Sequence, residues 1–95
     1  MPDTISVSHN PAAGQFEIHT EHGVALLRYA HEGSSLNLLH TEVPDALEGR
    51  GYGAALAKAA LAYARDEGLT VVPSCSFVAG YVERHPKYQS LLATH

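Results

Sequence analysis

The sequence predicts an α/β fold on one mixed (α+β) sheet, with the element order β-β-β-β-α-β-α. Three observations predict it. Short β-type segments alternate with turn formers through the first half of the 95 residues. An alanine-rich helical stretch follows, and a short apolar strand succeeds that helix. A strand, a crossover helix and a second strand make a right-handed unit with parallel strands, so an antiparallel meander gains one parallel member. No internal repeat, linker or low-complexity tract divides the chain, and residues 1–95 read as one domain.

The strands come first. Ile5 to Val7, Gln15 to His19, Val24 to His31 and Leu36 to Val43 are short runs of β-type character. Turn formers part them: His9-Asn10-Pro11-Ala12-Ala13-Gly14, then Glu21-His22-Gly23, then Glu32-Gly33-Ser34-Ser35. Connections this short favour antiparallel neighbours. From about Gly51 to Glu67 the chain reads as helix, with Leu56, Ala60, Tyr63 and Ala64 on one face and Gly68 as C-terminal cap. Leu69 to Val72 is a buried strand stopped by Pro73. A second helix, Phe77 to Arg84, takes Ser76 as its cap and ends at Pro86, before an apolar turn through Tyr88, Leu91 and Leu92.

Composition narrows the function. A net charge of −4, with six unclustered Lys and Arg, argues against a nucleic-acid partner. The single cysteine, Cys75, excludes an internal disulfide and fits a reducing compartment. Met1-Pro2-Asp3-Thr4 lacks the basic start and apolar core of a leader peptide, and no apolar run is long enough to span a bilayer. The expectation is a cytoplasmic protein with no membrane partner. Seven histidines (His9, His19, His22, His31, His40, His85 and His95) lie mostly in or beside turns. His31-Glu32 begins like a zinc-protease motif, but position 35 is Ser, and His19-x-x-His22 lacks companion cysteines. No metal is expected.

The most informative stretch is Glu48-Gly49-Arg50-Gly51-Tyr52-Gly53-Ala54, which runs straight into the alanine-rich helix. A bare loop opening a helix aims free N–H groups outward at the positive end of the helix dipole. Such a site holds phosphate or pyrophosphate without a charged side chain. Gly49-x-Gly51-x-x-Ala54 also satisfies a dinucleotide fingerprint. That motif, however, needs a first strand leading into the loop and an acidic residue about 20 positions on. Here four antiparallel-type strands come first, and positions 69–73 are Leu-Thr-Val-Val-Pro. A P-loop is excluded, since no Gly-Lys-Ser or Gly-Lys-Thr occurs. The rival structural reading is a tight turn beside a packed helix, but each glycine weakens a helix start.

Val43-Pro44 followed by Gly49-Arg50-Gly51-Tyr52-Gly53-Ala54-Ala55-Leu56 resembles the acetyl-CoA loop of GNAT-type N-acetyltransferases, whose pattern is Gln/Arg-x-x-Gly-x-Gly/Ala. Thr41 to Pro44, then Val72-Pro73-Ser74-Cys75-Ser76-Phe77-Val78, then Arg84-His85-Pro86-x-Tyr88 are similar to the short, single-domain YjdJ-type branch of that superfamily. Aligned on Gly51 and Gly53, Glu48 stands where the family carries Gln or Arg, and Arg50 is the nearby cation. The resemblance implies a minimal acyl-CoA-binding core with an open acceptor side. It implies acetyl-CoA as cosubstrate, with its pyrophosphate on the amides of Gly51, Tyr52, Gly53 and Ala54 and with Arg50 adding charge. The pantetheine arm would run between the strands ending at Val43 and Val72. Arg84 or Lys87 would meet the 3′-phosphate.

Acetyl transfer to an amine needs a neutral nucleophile, a polarised carbonyl and a proton for the departing thiolate. Strand alternation predicts Leu36, Leu38, His40 and Glu42 on one face, which sets His40 beside Glu42 near the strand end. Glu42 is the candidate base and His40 its relay; the alternative is a pair of solvated surface residues. Cys75, near a helix start, is a candidate nucleophile or proton source, the alternative being a small buried apolar residue. Tyr81 and Tyr88 are read as packing residues rather than acids. The function expected is N-acetylation of an amine on a small molecule or a protein. A CoA-binding module without turnover, or an interaction protein whose glycine loop only packs, are the competing accounts.

Overall fold

The computed structural model describes residues 5–92. Five strands form one sheet in the order β1-β2-β3-β4-β5. They are β1 (Ser8–Asn10), β2 (Gln15–Thr20), β3 (Gly23–Glu32), β4 (Ser35–Glu42) and β5 (Thr70–Val72). The first four are antiparallel neighbours and β5 is parallel to β4, as the short turns and the crossover predict. Helix α1 (Tyr52–Glu67) is the crossover, α2 (Ser76–Arg84) follows β5, and 3-10 turns occupy Asp45–Leu47 and Pro86–Leu91. The leader reading of residues 1–4 and the last histidine, His95, lie outside the described residues.

The buried apolar side chains of the sheet fall on one face. Phe16, Ile18, Ala25, Leu27, Leu36, Leu38 and Val71 meet Leu56, Ala57, Ala60, Leu61 and Ala64 of α1 in a continuous core, which Val78, Tyr81 and Val82 of α2 join. The spacing 56-57-60-61-64 is the stripe of a 3.6-residue period. Three of its five members are alanine, so the helix backbone lies close to the sheet. Gly68, at φ +71°, ends α1, and the Leu69 N–H reaches back to the Ala64 carbonyl at 2.8 Å.

Three details depart from the sequence expectation. The first strand is Ser8–Asn10 and not Ile5 to Val7. His9 faces inward and stacks on Phe16 with ring centroids 4.3 Å apart, and its Nε2 lies 2.6 Å from the Tyr29 hydroxyl. That burial lowers the His9 pKa. The cap of α2 is Cys75 rather than Ser76, because the Cys75 N–H is held by the Leu38 carbonyl at 2.8 Å. Finally, β4 carries a bulge: Arg28 pairs with His40 and Tyr29 with Leu38, which leaves Leu39 opposite no residue.

The bulge reverses the alternation of β4. Thr41 pairs with fully buried Leu27 and so faces the core side, whereas His40 and Glu42 pair with Arg28 and Leu26 on the opposite face. Leu36 and Leu38 therefore do not share a face with His40 and Glu42. A strict period of two cannot survive one inserted residue.

On that open face Glu17 is 9% exposed, and its carboxylate accepts from Gln15 Nε2 (2.6 Å), Asn10 Nδ2 (2.9 Å) and His19 Nε2 (2.8 Å). These donors, Gln15 foremost, lower its pKa from 4.5 to about 2. A carboxylate with a depressed folded pKa stabilises the fold above its unfolded pKa and loses that contribution as pH falls through the folded one. The difference in melting temperature between the wild type and Glu17→Gln should thus be greatest above pH 5. It should close as pH falls from 4.5 toward 2; a difference independent of pH would contradict the assignment. In the core, Leu38→Ala should cost about 2–5 kcal/mol in denaturant unfolding.

Candidate functional site

Beyond Asn37 and Val72 the strands β4 and β5 part. Register pairing covers Ser35↔Thr70, Leu36↔Val71 and Asn37↔Val72 and then stops. Pro73 follows directly and has no N–H to continue a ladder. The Ser74 hydroxyl donates to Asn37 Oδ1 at 2.7 Å, and the Cys75 N–H to the Leu38 carbonyl, which pins the chain where the gap begins. A cavity of about 560 Å³ opens here, lined by Thr41, Val43, Leu47, Glu48, Gly49, Gly51, Tyr52, Gly53, Ala54, Phe77 and Arg84.

The floor of the cavity is the start of α1. Gly51, at φ +86°, turns the chain into the helix in a conformation that side-chain-bearing residues rarely adopt, and nothing stands above it within 4 Å. The first ladder bond runs from the Ala55 N–H to the Gly51 carbonyl at 3.0 Å. The amides of Tyr52, Gly53 and Ala54 precede that bond. No side chain caps them, and no acidic residue lies in the first turn. This is a concentrated set of donors at a positive helix end.

Six of the eight predicted binding positions, Val43, Gly51, Tyr52, Gly53, Ala54 and Arg84, line the cavity. Arg50 and Lys87 are absent from the lining. Arg50 is exposed on the loop, and the Lys87 ammonium sits over the Tyr88 ring, 5.2 Å from its centroid. Glu48 does line the cavity, and Arg84 is the cation found in the same lining.

The candidate chemical groups divide between two faces. His40 Nε2 lies 3.0 Å from Glu42 Oε2, and both side chains are 58% exposed on the open side of the sheet. Neither belongs to the cavity lining. Thr41, between them, does line it, and its hydroxyl is 3.3 Å from Cys75 Sγ. Burial pushes the Cys75 thiol up, but the Thr41 hydroxyl and the backbone of Val78 and Phe77 outweigh it, and the pKa is lowered overall. Tyr81 and Tyr88 are 7% and 4% exposed and belong to the core, as expected. Among the described residues no three His, Cys, Asp or Glu side chains gather as a metal site requires, and no helix is long and apolar enough to cross a membrane.

Thr41 and Phe77 are among the lining residues that escaped the sequence reading, as did Leu47. Thr41 was hidden by the bulge, which exchanges the faces of β4. Phe77 looked like an ordinary helix residue, although its place two positions after Cys75 projects it across the cavity toward Gly53.

The site thus joins a mixed sheet whose strands part to an uncapped helix start with free backbone donors. The chain belongs to the GCN5-related N-acetyltransferase family, whose sequence model matches residues 15–91, from β2 through the closing turn. Protein NATD1 of Xenopus tropicalis is 37% identical over 91 residues, covering 93% of this chain and 84% of that protein. Protein NATD1 of Homo sapiens is 39% identical over 90 residues, covering 92% and 80%. The solution NMR structure of a GCN5-like protein from Staphylococcus aureus superposes with a TM-score of 0.74 at 29% identity, covering 96% of this chain and 90% of that one.

Replacing Thr41 with Val removes the hydroxyl that favours the Cys75 thiolate while keeping the shape of the side chain. The pH midpoint of Cys75 alkylation by iodoacetamide should move upward in Thr41→Val and return in Thr41→Ser. An unchanged midpoint would remove Thr41 as its cause.

Proposed function

We propose that this chain is an acetyl-CoA-dependent N-acetyltransferase, acting as one cytoplasmic domain on an amine of a small molecule or a protein. The observation that carries the reading is the coincidence, in one cavity, of the uncapped amides of α1 with Thr41 and Val43 at the end of β4 that β5 leaves unpaired. The amides of Gly51, Tyr52, Gly53 and Ala54 receive the pyrophosphate of CoA, with Arg84 as the lining cation and Arg50 adding field from the loop. The uncharged pantetheine arm lies along the edge of β4, residues 39–43, whose backbone has no partner in β5. The thioester then ends beside Thr41 and Cys75.

The amine enters from the open side of the sheet, where His40 and Glu42 form a hydrogen-bonded pair. Its nitrogen bonds to the thioester carbonyl carbon, the C–S bond breaks, and the nitrogen's proton passes to Glu42 directly or through His40 or water. The CoA sulfur takes a proton from the Cys75 thiol or from solvent. Direct transfer of this kind needs no acyl-cysteine. A CoA-binding module without turnover is the second reading, and the exposure of His40 and Glu42 outside the cavity favours it.

Thermal shift with CoA, acetyl-CoA, NAD and ATP should show stabilisation by the first two alone. Gly51→Val, which forces a β-branched residue to φ +86°, should abolish it. In an amine panel following release of the CoA thiol, Glu42→Ala should lower kcat by about 10²–10⁴-fold with CoA affinity unchanged. Cys75→Ala should keep most turnover; its complete loss would instead support an acyl-cysteine. Binding that persists while every variant and the wild type turn over nothing would establish the non-catalytic module.

A further inference from the structure

Phe77 is 39% exposed, one of three large apolar side chains so exposed among the described residues, and alone of the three it lines the cavity. It does not belong to the core face of α2, which is formed by Val78, Tyr81 and Val82. Its ring lies instead against Gly53 in the first turn of α1: a Cβ placed on Gly53 would come within 2.9 Å of Phe77 Cζ and 3.1 Å of Cε2. A glycine inside a helix is unfavourable relative to alanine, and here its bareness leaves room for the ring. The position of the ring is fixed from the other side as well, since Cys75 is tied to Leu38 by its N–H and to Thr41 by its thiol.

We propose that Phe77 is a specificity-determining residue that reads the pantetheine arm, selecting a carrier that bears this arm over a bare nucleotide; this rests on the acyl-CoA reading above. The cavity lining combines two chemistries. The backbone amides of α1 and the Arg84 guanidinium suit phosphate, whereas the side chains of Val43, Leu47, Ala54 and Phe77 offer apolar surface. A nucleoside diphosphate satisfies the polar groups and leaves the ring in water. An uncharged arm carrying geminal methyl groups covers the ring as well, and the gain scales with the apolar area removed from water. The helix start thus supplies affinity that any diphosphate shares, and Phe77 supplies the discrimination.

Isothermal titration of the wild type, Phe77→Ala and Phe77→Leu with CoA and with 3′-phospho-ADP, which is CoA without the arm, tests this. Phe77→Ala should weaken CoA about tenfold, leave 3′-phospho-ADP within twofold, and be partly rescued in Phe77→Leu. Thermal unfolding of the free proteins checks that each variant is folded. Equal weakening of both ligands would overturn the inference, since the ring would then act only by shaping the loop. Unchanged CoA affinity in a folded Phe77→Ala would also overturn it. If neither ligand binds the wild type, the acyl-CoA reading itself fails and the inference falls with it.

Discussion

The parting of β4 from β5 is the constraint on which the site depends. Three paired positions hold the strands together. Beyond them, Pro73 cannot donate to a ladder, and the bulge at Leu39 bends β4. Had β5 run on for two more residues, it would have paired the edge of β4 and filled the space beside Thr41 and Val43. The bonds from Ser74 to Asn37 and from Cys75 to Leu38 keep the gap from spreading backward. They also fix where α2 begins. The same pin that opens the cavity therefore aims Phe77 at the start of α1.

The glycines of the loop serve by different physics. Gly51 is needed for its backbone: at φ +86° it turns the chain so that the next amides face the cavity, and the space above it is empty. Gly53 has ordinary helical geometry and is needed for its missing side chain, since the Phe77 ring occupies that place. Alanine completes the arrangement. Ala57, Ala60 and Ala64 are fully buried, and their small size lets α1 approach the sheet closely. A helix held off by larger side chains would carry its first turn away from β4 and divide the cavity into two unrelated surfaces.

Periodicity and punctuation revealed the element order, because the turn formers and the helix-capping Gly68 act locally. The bulge is different. One inserted residue alters no composition and leaves no turn signal, yet it moves Thr41 to the core side and His40 and Glu42 to the open side. The first strand was displaced for a related reason. His9-Asn10-Pro11 has the composition of a turn, but His9 finds an aromatic stack with Phe16 and a T-shaped contact with Tyr63, 4.6 Å between centroids. Local preference favours Ser over Cys as a helix cap; the tertiary bond to Leu38 decided otherwise. Arg84 and Lys87 are three positions apart, but the helix ends between them, so only Arg84 reaches the cavity.

The division of polar groups between two faces bears on how an amine would be made reactive. A carboxylate beside an ammonium favours its charged form, because opposite charges stabilise one another. Glu42 in water would therefore hold an incoming amine protonated and unreactive. On the proposed acetyltransferase reading the cavity edge would reverse that preference: its apolar lining disfavours the charge, so the proton would leave as the nitrogen moved from the open face toward the thioester. A base in the interior would itself need stabilisation as an anion, and the single lining carboxylate, Glu48, belongs to the loop before α1. The His40–Glu42 pair stands outside, one residue on either side of inward-facing Thr41, with both side chains 58% exposed. On the same reading the reacting atoms would remain in a drier space. On this reading the bulge does chemical work, since it sets the proton acceptor and the thiol-holding hydroxyl on opposite faces of one strand.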